Sequence, residues 1–220
     1  MIEIKRYVSG LLSSNMYVVR EGEHAIVIDP FDDTTPSEGL IIDYIILTHE
    51  HYDHISGVNV WKEMTGAPVL CSKACAENIQ NPKKNLSNHF KEFCELQTWI
   101  ELDEIPSSDP NYTCSADQIF EAEENILWQG HSIQLFEIPG HSLGSIGVII
   151  DSSHFFSGDS LMENCEIELR MPGGSRKKWK EIGAPRLTLI PDGVLVYPGH
   201  FQEFIYMRKG ETKIGGFSIQ

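Results

Sequence analysis

Five times along this chain a short apolar run stops at a residue able to bind a metal ion or move a proton, and any fold must account for where those stops lie. Ala25-Ile26-Val27-Ile28 ends at Asp29. Tyr44-Ile45-Ile46-Leu47 runs into Thr48 and then His49-Glu50-His51-Tyr52-Asp53-His54. Ser132 to Ile138, which alternates apolar and polar residues, leads to Pro139-Gly140-His141. His154 to Ser157 ends at Gly158-Asp159, and Val194-Leu195-Val196-Tyr197 at Pro198-Gly199-His200. Uninterrupted apolar runs of this length read as strands buried on both faces. Loops that leave such strands are where a rigid scaffold presents reactive groups. The recurrence predicts that the five stops converge in space.

The segments between them fill in a fold. Met1 to Tyr7 and Ser14 to Val19 read as strands. His54 to Met64 reads as a helix, with Val58, Trp61 and Met64 at helical spacing and Gly66 closing it. Pro68-Val69-Leu70 returns to strand. The polar stretch from about 76 to 116 reads as an insertion or lid, with short helices followed by an irregular segment over Glu101–Thr113. Gly144 to Ile150 and His154 to Ser157 form an expected hairpin, and Arg176 to Lys180 opens a helix that Pro185 disturbs. Strand-rich halves, each with helices, predict two packed sheets covered by helices on both sides. The 220 residues suit one domain spanning the whole chain.

Composition narrows the function classes. A formal net charge of −15 opposes binding to a polyphosphate backbone, so a small-molecule substrate is expected and nucleic acid is not. The longest apolar run, around Ile41 to Leu47, is broken by Asp43 and falls short of the roughly 20 residues of a membrane helix. Met1 to Tyr7 lacks the apolar segment and cleavage site of a signal peptide, which predicts a cytoplasmic protein with no membrane association. Five cysteines, without a Cys-x-x-Cys pair, predict neither a disulfide framework nor a structural zinc ribbon.

A single histidine at a strand end is ordinarily a satisfied polar residue. Three histidines and an aspartate within six residues, directly after a buried strand, need another explanation. His49, His51, His54, His141 and His200 offer imidazoles; Asp53 and Asp159 offer carboxylates. This mixture suits zinc, iron or manganese. Seven groups exceed one tetrahedral site and suit two ions sharing a carboxylate and a solvent-derived bridge. Asp29, at a strand end before Pro30, is expected behind the ligands as an acceptor that orients an imidazole. Arg170, Arg176, Lys177 and Lys178 form the notable basic cluster and are candidates for gripping an anionic substrate group. Tyr52, inside the histidine motif, is a candidate pocket wall. His24, His89, His131 and His154 have no comparable context.

The motifs Ile28-Asp29-Pro30, Thr48 to His54, Pro139 to Ser145, Phe156 to Leu161 and Tyr197 to His200 resemble, in order, those of the metallo-β-lactamase superfamily. The resemblance implies an α/β fold, a four-layer αββα sandwich with the metals at one edge. It implies that His49, His51 and His141 hold one ion, that Asp53, His54 and His200 hold the other, and that Asp159 bridges them. Asp53 is also implied as the catalytic proton carrier. Within the superfamily the look is that of small glyoxalase II-like hydrolases, although Cys165-Glu166-Ile167-Glu168 stands where those carry Gly-Arg. Phe201-Gln202 stands where they carry glycine and then threonine, and their C-terminal helical region is missing.

Metal coordination lowers the pKa of water toward ~7, which makes hydroxide available without a serine or cysteine nucleophile. The expected reaction is hydrolysis of an ester-like bond by a metal-bridging hydroxide on two divalent ions, zinc foremost, with iron or manganese as alternatives. A small-molecule thioester is the first substrate class; a lactone or other ester follows. A mononuclear iron persulfide dioxygenase and a nuclease or phosphodiesterase are the further alternatives.

Overall fold

The computed structural model describes residues 1–95 and 107–208, together with the backbone of 213–214 and 217–218. Side-chain alternation along the strands decides the layers. In β2 (Asn15–Glu21) and β3 (His24–Ile28), Met16, Val18, Ala25 and Val27 turn to one face, while Tyr17, Val19, Ile26 and Ile28 turn to the other, and both sets are buried. A sheet apolar on both faces needs a cover on each side.

That sheet runs β1 (Glu3–Val8), β2, β3, β4 (Ile41–Ile46), β5 (Val69–Ser72), β6 (Gln118–Phe120). Its first pairings are antiparallel, and those from β3 to β6 are parallel. The second sheet joins β7 (Glu123–Trp128), β8 (His131–Glu137), β9 (Ile146–Ile150) and β10 (His154–Gly158) antiparallel. β11 (Leu195–Pro198) then lies parallel to β10, and β12 (Phe204–Ile205) closes the edge. The inner faces meet through Tyr17, Ile28, Leu135, Val148 and Phe156. Outside the first sheet, Val27, Ile45 and Leu47 pack on α1 (Tyr52–Ile55), α2 (Val58–Thr65) and α3 (Lys73–Asn78) through Ile55, Trp61 and Ile79. Outside the second, Phe155 and Val196 pack on Trp179, Ala184 and Leu187. The result is the expected α/β sandwich of two mixed sheets with helices on both sides.

Local differences from the sequence reading have physical causes. The helix expected over His54 to Met64 is split at Gly57, whose N–H donates to the Pro30 carbonyl (2.9 Å) instead of continuing the helical ladder. β6 and β7 are not legible in the sequence, because most of their residues are exposed, the apolar Ile119 and Leu127 among them, so no buried alternation marks them. Near Pro185 the helical segment contains a π turn, Trp179–Gly183, between α5 (Arg176–Lys178) and α6 (Ala184–Leu187). Within the expected insertion, α3 and α4 (Phe90–Glu95) are helical. The irregular stretch is described from 107 onward, and its residues 101–106 lie outside the described residues. All five cysteines are free thiols, four of them buried. No helix among the described residues is long and apolar enough to cross a membrane.

A Cβ on Gly57 would meet the Phe31 carbonyl oxygen at 2.1 Å, and that backbone belongs to the turn carrying Asp29. Gly57→Ala is therefore expected to cost about 1–3 kcal/mol by overpacking. Gly66, in a left-handed cap with open space around it, should cost about 1–2 kcal/mol as Ala from backbone strain alone. Urea unfolding of both variants checks the difference in mechanism: only Gly57→Ala should also disturb the Asp29 turn, read by amide exchange at Thr48.

Candidate metal centre

The strand ends carrying the predicted residues meet where the two sheets are joined by main-chain hydrogen bonds. Asn15 N–H donates to the Gly199 carbonyl (2.7 Å) and Ile146 N–H to Thr48 (2.8 Å) across the sheets, while Gly199 N–H donates to Gly158 (2.9 Å) within the second. Asp29 follows β3, His49 to His54 follow β4, His141 follows β8, Asp159 follows β10 and His200 follows β11. Gly199 lets these ends approach: a Cβ there would fall 2.1 Å from Asp159 Oδ1 and 2.9 Å from His54 Cε1.

The side chains form two groups. His49, His51 and His141 offer nitrogens within 4.8 Å of one another, and so do ligand atoms of Asp53, His54 and His200. His141 Nε2 lies 3.0 Å from His51 Nδ1. His54 Nε2 lies 3.3 Å from His200 Nε2 and 3.3 Å from Asp53 Oδ2. Asp159 stands between the groups, with Oδ2 at 3.4 Å from both His141 Nε2 and His200 Nε2, and Oδ1 at 3.5 Å from His54 Nε2.

Each imidazole is aimed by a hydrogen bond on its outer nitrogen, apart from His51. Thr48 Oγ1 meets His49 Nδ1 (3.0 Å), Asp29 Oδ2 meets His54 Nδ1 (3.2 Å), the Glu168 carbonyl meets His141 Nδ1 (3.1 Å), and the Leu12 carbonyl meets His200 Nδ1 (3.1 Å). Asp29 also groups with His49 and His54 as a third possible cation triad. Its carboxylate, however, already accepts from Thr48 N–H (2.7 Å) and Thr48 Oγ1 (2.5 Å), which fits an orienting acceptor. Asp29 and Leu12 both sit in left-handed backbone, at φ 52° and 54°, a strain that tends to gather at functional sites.

The donor set fits divalent ions. His49 Nε2 and Asp159 Oδ1 are buried without a hydrogen-bond partner. Unsatisfied buried polar atoms are costly and rarely kept without a ligand to satisfy them. Burial and the neighbouring imidazoles hold His49 well below the usual histidine range, and burial with His141 beside it pushes His51 down to about 3. Both are thereby neutral, the ligating form. Burial works against protonation of His54 and His200 too. There the carboxylates of Asp53 and Asp159 outweigh it, holding His54 well above its ordinary value and His200 up to about 10. Both aspartates stay far below the ordinary carboxylate range despite burial, through His54 and His200. The arrangement concentrates negative charge where positive charge must be held.

The remaining predicted side chains are engaged elsewhere or exposed. The Tyr52 ring packs against Phe90 and Tyr112 at 5.1 and 5.3 Å between centroids, and its hydroxyl accepts from Asp109 N–H (3.1 Å). Arg170 is engaged by Glu168 through Nη2 (3.1 Å) and Nε (3.2 Å). Arg176, Lys177 and Lys178 are exposed on α5, whose capping Ser175 donates its N–H to the Gly140 carbonyl (2.8 Å). His24 and His131 pair instead with Asp43 and Asp151.

Sequence reasoning passed over Glu50. Its carboxyl is buried between the strand-end loops, accepting from Ser142 Oγ (2.7 Å) and Asn78 Nδ2 (2.8 Å), and burial raises its pKa against those hydrogen bonds. A Cβ on Gly144 would meet Glu50 Oε2 at 2.3 Å, so that glycine is what admits the carboxyl. The only signal available was its place between two ligand histidines. Glu50→Ala takes the acceptor from a buried donor, Ser142 Oγ, and a half-buried one, Asn78 Nδ2, and is expected to lower stability by about 1–3 kcal/mol, while Glu50→Gln loses less. Chemical denaturation of the two variants measures the gap.

With this geometry established, relatives can be compared. Residues 9–200 match the family described as the Metallo-beta-lactamase superfamily. The chain is 23% identical over 224 residues to a probable metallo-hydrolase of Bacillus subtilis, covering 98% of this chain and 99% of that one. It is 26% identical over 191 residues to a hydroxyacylglutathione hydrolase of Aeromonas hydrophila, matching 84% of this chain but only 60% of that protein's length. The crystal structure of a B3 metallo-beta-lactamase superposes with a TM-score of 0.76 at 23% identity, over 92% of this chain and 94% of that one, a likeness of fold. The family match over most of the chain, on a sandwich whose strand ends gather these histidines and aspartates, shows that the chain belongs to the metallo-beta-lactamase superfamily.

Proposed function

We propose that this protein is a metal-dependent hydrolase that cleaves an ester-like bond in a small molecule, a thioester foremost, with two divalent ions, zinc first. His49, His51 and His141 would hold one ion and Asp53, His54 and His200 the other, with Asp159 shared. The observation that carries the dinuclear reading is Asp159 Oδ2, equidistant at 3.4 Å from an imidazole of each group. When bound, such ions lower the pKa of a water toward ~7 and polarise the scissile carbonyl.

The chain's own groups do the rest. The hydrogen bonds that the rings make to Thr48, Asp29 and the Glu168 and Leu12 carbonyls fix their orientation, so that the ligand atoms need little reorganisation. Asp53, ionised and beside His54 and His200, takes the proton released by the attacking water and returns one to the leaving thiol or alcohol. The acidic balance of −15 supports a small-molecule substrate over a nucleic acid.

Metal analysis and a substrate screen test this together. Purified protein is expected to carry about two ions per chain and to hydrolyse thioesters or other esters. One iron per chain with oxygen consumption on a persulfide would overturn it. Asp159→Ala should reduce the metal content from about two ions. Asp53→Ala should lower kcat by roughly 10²–10⁴-fold; unchanged turnover would remove Asp53 from its role. Chelation should lower Tm in the wild type, and readdition of metal should restore it.

A further inference from the structure

Phe201 directly follows His200 and holds a conformation that L side chains rarely adopt, φ 66°. For a bulky residue this is a true outlier. The ring is 63% exposed and lies 6.4 Å from the His200 ring, centroid to centroid. The backbone is held in place from outside: the Phe201 carbonyl accepts from buried Asn15 Nδ2 (2.8 Å) and from Arg6 Nη1. Arg6 also donates to Gln202 Oε1 (2.7 Å) and pairs with Glu203 (3.7 Å). The fold thus maintains an unfavourable backbone at the price of no core packing, with an aromatic ring in solvent beside the cluster. Strain of this kind marks functional positions.

The surroundings specify the chemistry. Leu12, whose carbonyl aims His200, is partly buried, and Leu143, two residues after His141, is 42% exposed. The cations near these residues are neutralised locally, Arg6 by Glu203 and the 201–202 segment, Arg170 by Glu168. An exposed aromatic ring beside His200, with Arg6 and Arg170 already engaged by carboxylates, favours an uncharged apolar group over an anionic one.

The geometry points to Phe201 as a specificity-determining residue that packs its ring against an apolar acyl or leaving group of the substrate. This rests on the hydrolase reading above. Wild-type kcat/KM is then expected to rise along an acetyl, butyryl, hexanoyl and phenylacetyl ester or thioester series by up to roughly fourfold per methylene. Phe201→Gly should reduce the hexanoyl-to-acetyl ratio by on the order of tenfold, mainly through KM. Phe201→Tyr, which keeps the ring, should retain the ratio. Calorimetry should show phenylacetate bound more tightly than acetate by wild type, with the difference diminished in Phe201→Gly. Because the ring is exposed, Tm of Phe201→Gly should not fall.

A Tm loss of several degrees would show that the ring serves the fold and would overturn the inference. So would a flat wild-type series, or a preference unchanged in Phe201→Gly. If wild type hydrolyses no member of the series and no other ester, the hydrolase reading fails first and this inference with it.

Discussion

The functional edge depends on the direct main-chain bonding of one sheet to the other. Asn15 to Gly199 and Thr48 to Ile146 cross between the sheets, and Gly199 to Gly158 binds neighbouring strand ends within the second. These bonds satisfy backbone groups that would otherwise be buried unpaired. They also fix the separation of His49–His54 from His141, Asp159 and His200. The glycines at 158 and 199 permit the approach, and a side chain at 199 would occupy the space of the Asp159 carboxylate. The cluster is therefore set by backbone geometry first, and its side chains follow.

Hydrogen bonds to the outer ring nitrogens then remove much of the freedom the imidazoles would have left. Two of these acceptors are side chains, Thr48 next to His49 in sequence and Asp29 brought to His54 from 25 residues away, and two are main-chain carbonyls, Leu12 and Glu168. The carbonyl of Leu12 reaches His200 from a left-handed turn. Strained backbone at Leu12, Asp29 and Phe201 surrounds a site whose buried carboxylates and neutral imidazoles favour a cation. Rigidity and charge arise from the same contacts, because each bond that aims a ring also sets which nitrogen is free.

Local charge pairing distinguishes the members of the basic cluster read from the sequence. Arg170 is engaged by Glu168, two residues away, while Arg176, Lys177 and Lys178 sit in a separate helical start. Arg6, not singled out from the sequence, is drawn to the loop after His200 and braces it. In an acidic chain, cations near the site meet local carboxylates before any substrate does.

The sequence by itself determined the donor inventory and its supporting strands. Residue type and position at the end of an apolar run are local properties, so His49 to His54, His141, Asp159 and His200 are legible, as are the strand-rich halves that become the two sheets; which layer Tyr17 and Val18 each face is not, because both are apolar. What only the tertiary structure decided was grouping and orientation. Main-chain carbonyls are present at every residue and carry no signature, so nothing local distinguished Leu12 or Glu168. The split at Gly57 arose from a donor-acceptor choice made by Pro30, distant in sequence. Glu50 lay in plain view between two histidines, yet its burial depends on Ser142, Gly144 and Asn78 arriving from other elements. Contacts of that kind exist only after the chain has closed on itself, and they decide how a legible set of ligands becomes a site.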